Sequence, residues 1–391
     1  MLIDIIAGAR PNFMKIAPII HEIERENKEA GLDISDKNYL QYRLIHTGQH
    51  YDRNMSGAFF EQLGIPEPDL NLESGSGSQS EQTGRIMTRY EKVLIDRKSD
   101  LCIVVGDVTS TMACSITAKK MGVKIAHVEG GIRSRDWTMP EEINRIATDS
   151  ITDFFFTTSE VANKNLASEG VKKERIFFVG NTMIDTLLSN LDKLKKPGVF
   201  DEKSLKKGDF FVMTLHRPAN VDEEKKLKSL IDNIAKGVEG KKIIFPVHPR
   251  TKKILDDLGI SHENLIYTEP LGYLEFIWLI KHSKAVITDS GGITEETTVL
   301  EIPCLTLRDN TERPETVTQG TNELIGTAPE AIVPALKKLM SGNWKSGTVP
   351  EKWDGKASKR IVQSIYELLK DGQFKFYEPY VDHILMFKAE N

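Results

Sequence analysis

Cysteine is nearly absent: Cys102, Cys114 and Cys304 are the only three in 391 residues, far apart and without CxxC spacing. An odd, scattered set argues against a disulfide framework and against a zinc site, so no metal is expected. Long apolar runs are missing too, since no stretch of about 18 apolar residues occurs that could span a membrane. The opening MLIDIIAGARPNFMK has no basic head before its apolar run, which argues against a secretory signal and leaves the cytoplasm as the default location. Positive charge is not in excess: 52 Lys and Arg against 57 Asp and Glu give a formal net charge of −5. With no basic stripe interleaved with aromatics, neither nucleic acid nor a membrane is an expected partner. An anionic ligand would have to be held by a few placed arginines.

Several catalytic signatures are also absent. No GxGxxG follows the first expected strand, so a Rossmann nicotinamide or flavin site has no support and no cofactor is expected. There is no GxxxxGK(S/T) of a P-loop, and no GxSxG, HExxH or Cys/His cluster that would indicate a hydrolase triad or a zincin.

What remains is an alternation of short β-rich runs with longer segments of helical period, the pattern of doubly wound parallel sheets. The expected strands are Leu2 to Ala7, Tyr42 to His46, Leu101 to Val105, Lys124 to Val128, Asp153 to Thr157 and Ile176 to Val179. A second series comes at Phe210 to Thr214, Lys242 to Val247, Leu265 to Tyr267, Ala285 to Thr288 and Cys304 to Leu307. Ile16, Ile19, Ile20 and Ile23 form one face of a helix after the first strand, with Pro18 expected in its first turn. The polar stretch Leu191 to Gly198 marks a domain boundary near 185 to 205. SGSGSQS, Ser74 to Ser80, is expected to be a loop ending in a helix cap.

Polar motifs come after nearly every strand: Gly8-Ala9-Arg10-Pro11-Asn12, then TGQH, GDVTST, EGGIRS, GNT, LHRP, HPRT, DSGG and RDNTERPE. In open α/β sheets ligands bind outside the carboxyl ends of the strands, so two such series predict two sheets facing one cleft. Arg10 and Lys15 stand at an expected helix start, where positive charge is unfavourable unless an anion joins it. Asp107 and Glu129 each follow an apolar strand, as N-caps or as acid/base groups, and Glu141 and Glu142 open a helix. His216 and His248 occupy matching positions after strands of the second series. Ser290-Gly291-Gly292 is either a tight turn with Ser290 as a cap or a phosphate seat of backbone N–H groups.

Ordered along the chain, GARPNFMK, TGQH, GDVTST, HVEGGIRS, MPEEINR, GNTMIDTL, TLHRPAN, PVHPR, TDSGGITEE and RDNTERPE closely resemble the non-hydrolysing UDP-N-acetylglucosamine 2-epimerases, over roughly residues 1 to 330. The resemblance implies an α/β fold of two doubly wound Rossmann-like domains facing a central cleft, glycosyltransferase-B-like. It implies an N-terminal domain at 1–182, a UDP-binding domain at 183–372 and a segment, 373–391, returning to the first. It further implies a homodimer that takes a UDP-sugar and interconverts UDP-GlcNAc and UDP-ManNAc without a cofactor. Asp107, Glu129 and Glu141 match the family's catalytic carboxylates. Ser290, Gly291 and Gly292 would hold the pyrophosphate, Glu296 the ribose hydroxyls, and Phe276 would line the uracil pocket unless it is core. Arg10 and His216, the latter among the catalytic residues, would neutralise charge on the departing phosphate, Lys15 and His248 would bind the substrate, and Arg313 would orient the nucleotide or sugar. Some bacterial members bind an activator; Gln49, His50, Glu142 and Arg217 match that site, although Asp52 stands where a further Gln is usual and Pro218-Ala219 depart from the pattern after LHR. The rival readings are a UDP-2,3-diacetamido-glucuronate 2-epimerase, a hydrolysing epimerase and a catalytically silent UDP-sugar sensor.

Overall fold

The alternation seen in the sequence folds into two separate sheets. The computed structural model describes residues 1–48, 63–221, 223–247 and 249–374; Gln49, His50 and His248 lie outside them, as does the side chain of Arg10. The first sheet contains β1 (Leu2–Ala7), β2 (Gln41–His46), β3 (Leu70–Asn71), β4 (Leu101–Val105), β5 (Lys124–Val128), β6 (Phe154–Thr157) and β7 (Ile176–Phe178), in the order β3-β2-β1-β4-β5-β6-β7. The second contains β8 (Phe210–Thr214), β9 (Lys242–Pro246), β10 (Leu265–Thr268), β11 (Ala285–Thr288), β12 (Cys304–Thr306) and β13 (Asn322–Leu324), in the order β10-β9-β8-β11-β12-β13. Neighbours pair in parallel, with Ile3 opposite both Tyr42 and Leu101, and Val286 opposite both Val212 and Cys304. β3 and β13 are the two strands that hydrophobic patterning does not reveal. Both are edge strands, of two and three residues, too short for alternation to register.

The strand order reverses beside β1 in the first sheet, between β1 and β4, and beside β8 in the second, between β8 and β11. At such points the helices leaving adjacent strands go to opposite faces and open a crevice at the carboxyl ends. Five helices carry or brace the polar loops at these ends: α1 (Arg10–Glu29), α2 (Thr109–Lys120), α3 (Pro140–Ile151), α4 (Gly291–Val299) and α5 (Ala357–Lys370).

Helix α1 starts at Arg10, so Pro18 lies inside it rather than in the first turn. The Asn12 side chain sets the start: its Oδ1 accepts the N–H groups of Gly8 (3.1 Å) and Ala9 (2.9 Å), and its Nδ2 donates to the Val105 carbonyl (3.1 Å). Proline has no N–H for the carbonyl four residues earlier. That carbonyl, Met14, instead accepts the Thr186 hydroxyl, which offsets the lost helical bond.

The chain divides into Met1–Thr186 together with the described residues from Glu351 on, and Leu187–Pro350. The expected return to the first domain at 373 therefore comes earlier, and α5 belongs to the first unit. Asp185 explains why: its buried carboxylate accepts from Ala357 N (3.0 Å), Ser358 N (2.7 Å) and Ser358 Oγ (2.7 Å), capping α5. Trp353 adds a buried indole N–H donated to the Thr158 carbonyl at 3.0 Å. Gly180, at φ +96°, completes the join, since a Cβ there would stand 2.0 Å from the Lys352 carbonyl oxygen. GNTMIDTL is thus in part a joint within the first unit.

Candidate active site

In the first unit the polar loops after β1, β4 and β5 come together. Glu129 follows β5 directly, at φ +73°, a left-handed conformation that costs a non-glycine residue on the order of 1 kcal/mol or more. Its N–H donates to the Phe156 carbonyl at 2.9 Å, and its Oε2 pairs with Lys15 Nζ at 2.6 Å. Both side chains are buried, at 2% and 9% exposure. An ion pair so desolvated survives only with close geometry.

Asp107 follows β4. It does not cap α2, whose N-cap is Val108 with no side-chain bond. The Asp107 carboxylate instead pairs with Arg145, and its carbonyl accepts Asn144 Nδ2 at 2.8 Å. Arg145 also holds Glu142 Oε2 at 2.8 Å, one turn back on α3. Glu142 further accepts from Ser134 N (2.9 Å) and Arg135 N (2.8 Å), so both its oxygens organise the GGIRS loop. Burial pushes its pKa up, but the Ser134 N–H, Arg145 and the Arg135 N–H outweigh it and hold the carboxyl below the usual range. Glu141, one residue earlier in the first turn of α3, faces outward and is exposed.

His127 links the two loops from beneath. Its Nδ1 lies 2.6 Å from Asp149 Oδ1 and its Nε2 lies 2.8 Å from the Gly106 carbonyl. The ring is thus held at both nitrogens. Asp149 also accepts from Gly131 N at 3.0 Å and pairs with Arg133 at 2.7 Å. One buried cluster therefore fixes the loop carrying Asp107 and the loop carrying Glu129.

In the second unit the corresponding loops come after β8 and β11. Asp289 is buried, and its carboxylate accepts the N–H groups of His216 (3.1 Å) and Arg217 (2.9 Å), pairing also with His216 Nδ1 at 2.8 Å. Burial acts to raise its pKa, but His216 and these backbone bonds hold it below the usual carboxylate range. With Nδ1 fixed, the 62%-exposed His216 ring presents Nε2 outward. Arg217 is part of the same turn, its Nε donating to the Asp289 carbonyl at 3.0 Å.

Helix α4 begins directly after Ser290. That hydroxyl makes no capping bond, so it is not consumed by the turn. A Cβ on Gly291 would meet Glu312 Oε1 at 2.7 Å and Arg313 Nη1 at 3.3 Å, so a larger residue there would have to displace the side-chain ends of RDNTERPE. Arg313 is engaged by carboxylates: Nε with Glu295 and Nη1 with Glu312 Oε1 at 3.0 Å. Glu296 is 4% exposed. Burial pushes its pKa up to about 8, with the Tyr273 hydroxyl pulling down and Glu295 adding to the rise. Its Oε1 has no hydrogen-bond partner among the described residues. Phe276 stays half-buried on its helix, while Leu274, Ile277, Leu279 and Ile280 fill the core.

The structure thus brings Lys15, Asp107 and Glu129 together in one unit and His216, Ser290, Gly291, Glu296 and Arg313 in the other. Arg145, Asp289 and Arg308 do not stand out in the sequence. Arg145 shows there only as a base three residues after Glu142, and Asp289 only as the acid opening DSGG.

A family model described as UDP-N-acetylglucosamine 2-epimerase matches residues 32–366. A UDP-N-acetylglucosamine 2-epimerase of Methanocaldococcus jannaschii is 41% identical over 375 residues, covering 93% of this chain and 98% of that protein. A UDP-2,3-diacetamido-2,3-dideoxy-D-glucuronate 2-epimerase of Pseudomonas aeruginosa is 37% identical, covering 94% and 100%. The crystal structure of the Methanocaldococcus jannaschii UDP-GlcNAc 2-epimerase in complex with UDP-GlcNAc and UDP is similar to this chain at a TM-score of 0.81 and 41% identity, covering 94% and 100%.

Proposed function

Because the chain belongs to the UDP-N-acetylglucosamine 2-epimerase family, we propose that it interconverts UDP-GlcNAc and UDP-ManNAc by eliminating UDP and adding it back. Beyond membership, the observation that carries this reading is the pair of carboxylates after adjacent strands, each held against a buried cation: Glu129 on Lys15 and Asp107 on Arg145.

The C2 proton of the sugar is not next to a carbonyl and is poorly acidic. Breaking the C1–O bond builds positive charge on the ring and makes that proton easier to remove. The electron pair of the C2–H bond then forms the C1–C2 double bond, UDP leaves with the C1–O pair, and the products are 2-acetamidoglucal and UDP. Returning a proton to the opposite face of C2 and re-forming the C1–O bond gives the epimer. The reaction needs carboxylates able to exchange a proton, a firm hold on UDP and no cofactor.

Asp107, Glu129 and Glu141 are assigned to the proton transfers. The second unit is assigned the nucleotide: Ser290, Gly291, Gly292 and the N-terminal N–H groups of α4 for the diphosphate, Glu296 for the ribose and Phe276 for the uracil. His216, aimed by Asp289, meets charge on the departing phosphate, as does Arg10, and His248 is assigned to substrate binding. Arg313 belongs to the same nucleotide end. The enzyme works as a cytoplasmic homodimer. Incubation with UDP-GlcNAc in D2O, monitored by NMR, tests the reading: deuterium at C2 with UDP-ManNAc appearing is the expected result. Free ManNAc with UDP would mean a hydrolysing enzyme. An inert UDP-GlcNAc with turnover of the diacetamido-glucuronate would assign the substrate of the 37%-identical relative, and silence on both would leave a sensor.

A further inference from the structure

We propose that His127 is a positioning residue for the proton transfers: held under the ends of β4 and β5, it sets where Asp107 stands relative to Glu129. The inference rests on the carboxylate roles proposed above and deepens them. His127 has 0% exposure and lies on β5, two residues before Glu129. An imidazole buried in a strand of Ile, Ala and Val is unfavourable unless its nitrogens are bonded. Both are used: Nδ1 lies 2.6 Å from Asp149 Oδ1 on α3, and Nε2 lies 2.8 Å from the Gly106 carbonyl after β4. A carbonyl oxygen only accepts, so the second bond uses the Nε2 hydrogen.

Gly106 is where the two loops meet. The strands stay in register up to Val105 opposite Val128. Beyond that pair, the Gly106 N–H donates to the Val128 carbonyl at 3.1 Å, while the Gly106 carbonyl accepts from the ring. Both backbone polar groups of Gly106 are therefore held by β5. Its φ of +68° is left-handed, a conformation glycine adopts readily. A Cβ there would stand 3.3 Å from Lys15 Nζ and 3.7 Å from Glu129 Oε2, so this backbone borders the buried pair.

The oxygen that His127 holds belongs to the Gly106–Asp107 peptide. The next carbonyl, that of Asp107, accepts Asn144 Nδ2 at 2.8 Å. The turn is thus gripped from β5 on one side and from α3 on the other. Releasing the Gly106 oxygen lets its peptide plane rotate and carries the Asp107 carboxylate away from its place beside Glu129. A displacement of about 1 Å in a reacting group can cost about 10²-fold in rate. His127 itself acts only through Gly106, with no contact to the reacting atoms.

Steady-state kinetics with UDP-GlcNAc on two full-length variants, beside UDP titration and thermal melts, tests this. Glutamine can set its amide nitrogen near the position of Nε2, and asparagine near that of Nδ1. His127→Gln keeps a donor for Gly106 and gives up Asp149, whereas His127→Asn does the reverse. Each loses one buried bond, so a ring that serves only the core predicts similar melting temperatures and similar turnover for the two. Positioning predicts a split: kcat of His127→Asn falls about 10- to 100-fold with KM and UDP affinity within about threefold of wild type, and kcat of His127→Gln stays within about threefold. The isotope effect from deuterium at C2 should also rise in His127→Asn, because proton transfer slows while binding does not. Equal kcat for the two variants overturns the proposal, as does a larger loss in His127→Gln. If His127→Asn does not fold, His127→Gln decides alone, with kcat above about a tenth of wild type supporting the proposal and kcat below it overturning it. Failure of both to fold assigns the ring to the core and overturns it too. A wild type inert with UDP-GlcNAc but active on the diacetamido-glucuronate corrects the substrate, and the same split on that sugar decides. A wild type silent on both sugars overturns the carboxylate roles and this proposal together, whereas an active wild type without the split overturns this proposal alone.

Discussion

Replacing Glu296 with Gln should abolish a pH dependence that the buried carboxyl imposes on the fold. Glu296 sits in α4 with its ordinary value of 4.5 raised to about 8, chiefly by burial. The folded protein therefore keeps a proton that the unfolded chain releases between those two values. Stability from this group is fully present below about pH 4.5, falls as pH rises through the window, and is gone above about pH 8. The slope is about 1.4 kcal/mol per pH unit, and the whole window corresponds to at most about 5 kcal/mol. Glutamine is neutral at every pH, so the wild-type and variant curves should diverge as pH rises, with the variant gaining on wild type toward pH 8.5. Urea unfolding of both proteins at half-unit steps from pH 5 to 8.5, without nucleotide, reads this difference directly, since the other titrations cancel. Binding should show the same proton. Ribose hydroxyls donate best to a carboxylate, so UDP binding to wild type at pH 7 should release a proton, measured by calorimetry in buffers of different ionisation enthalpy. Parallel stability curves for the two proteins would refute a neutral Glu296.

The remaining predictions are independent of that group. Asp107→Asn, Glu129→Gln and Glu141→Gln should each cut turnover by about 10²- to 10⁴-fold while leaving UDP affinity nearly unchanged; steady-state kinetics beside UDP titration would detect an unimpaired variant. Asp4 lies inside β1 at zero exposure and binds Arg43, Tyr90 and Ser99. Asp4→Ala removes the carboxylate that pairs with Arg43 and should cost about 3–5 kcal/mol in chemical denaturation. Thr186→Val strands the Met14 carbonyl that Pro18 cannot serve, at about 1–3 kcal/mol, whereas Thr186→Ser should restore most of the loss.

Much of this protein is legible in its residues. Strands of Val, Ile and Phe separated by helical periods specify parallel sheets, and a parallel sheet sends all its strand ends to one edge. Polar motifs after the strands are therefore bound to gather, which is why Asp107, Glu129, His216 and Ser290 can be named without coordinates. The missing GxGxxG, likewise, is a local fact. Partners across the chain are another matter. Lys15 and Glu129 are 114 residues apart, and Arg145 and Asp107 are 38 apart; periodicity orients a side chain within its own element but does not say what stands opposite. The cap from Asp185 to α5 spans 172 residues and moves the domain return from 373 to 351. Arg308 and Arg313 read alike in RDNTERPE, both basic and both near acids. Only packing decides that one guanidinium is enclosed by carboxylates while the Nε and Nη1 of the other have no partner among the described residues, because a hydrogen bond depends on distances of about 3 Å that the order of residues does not contain.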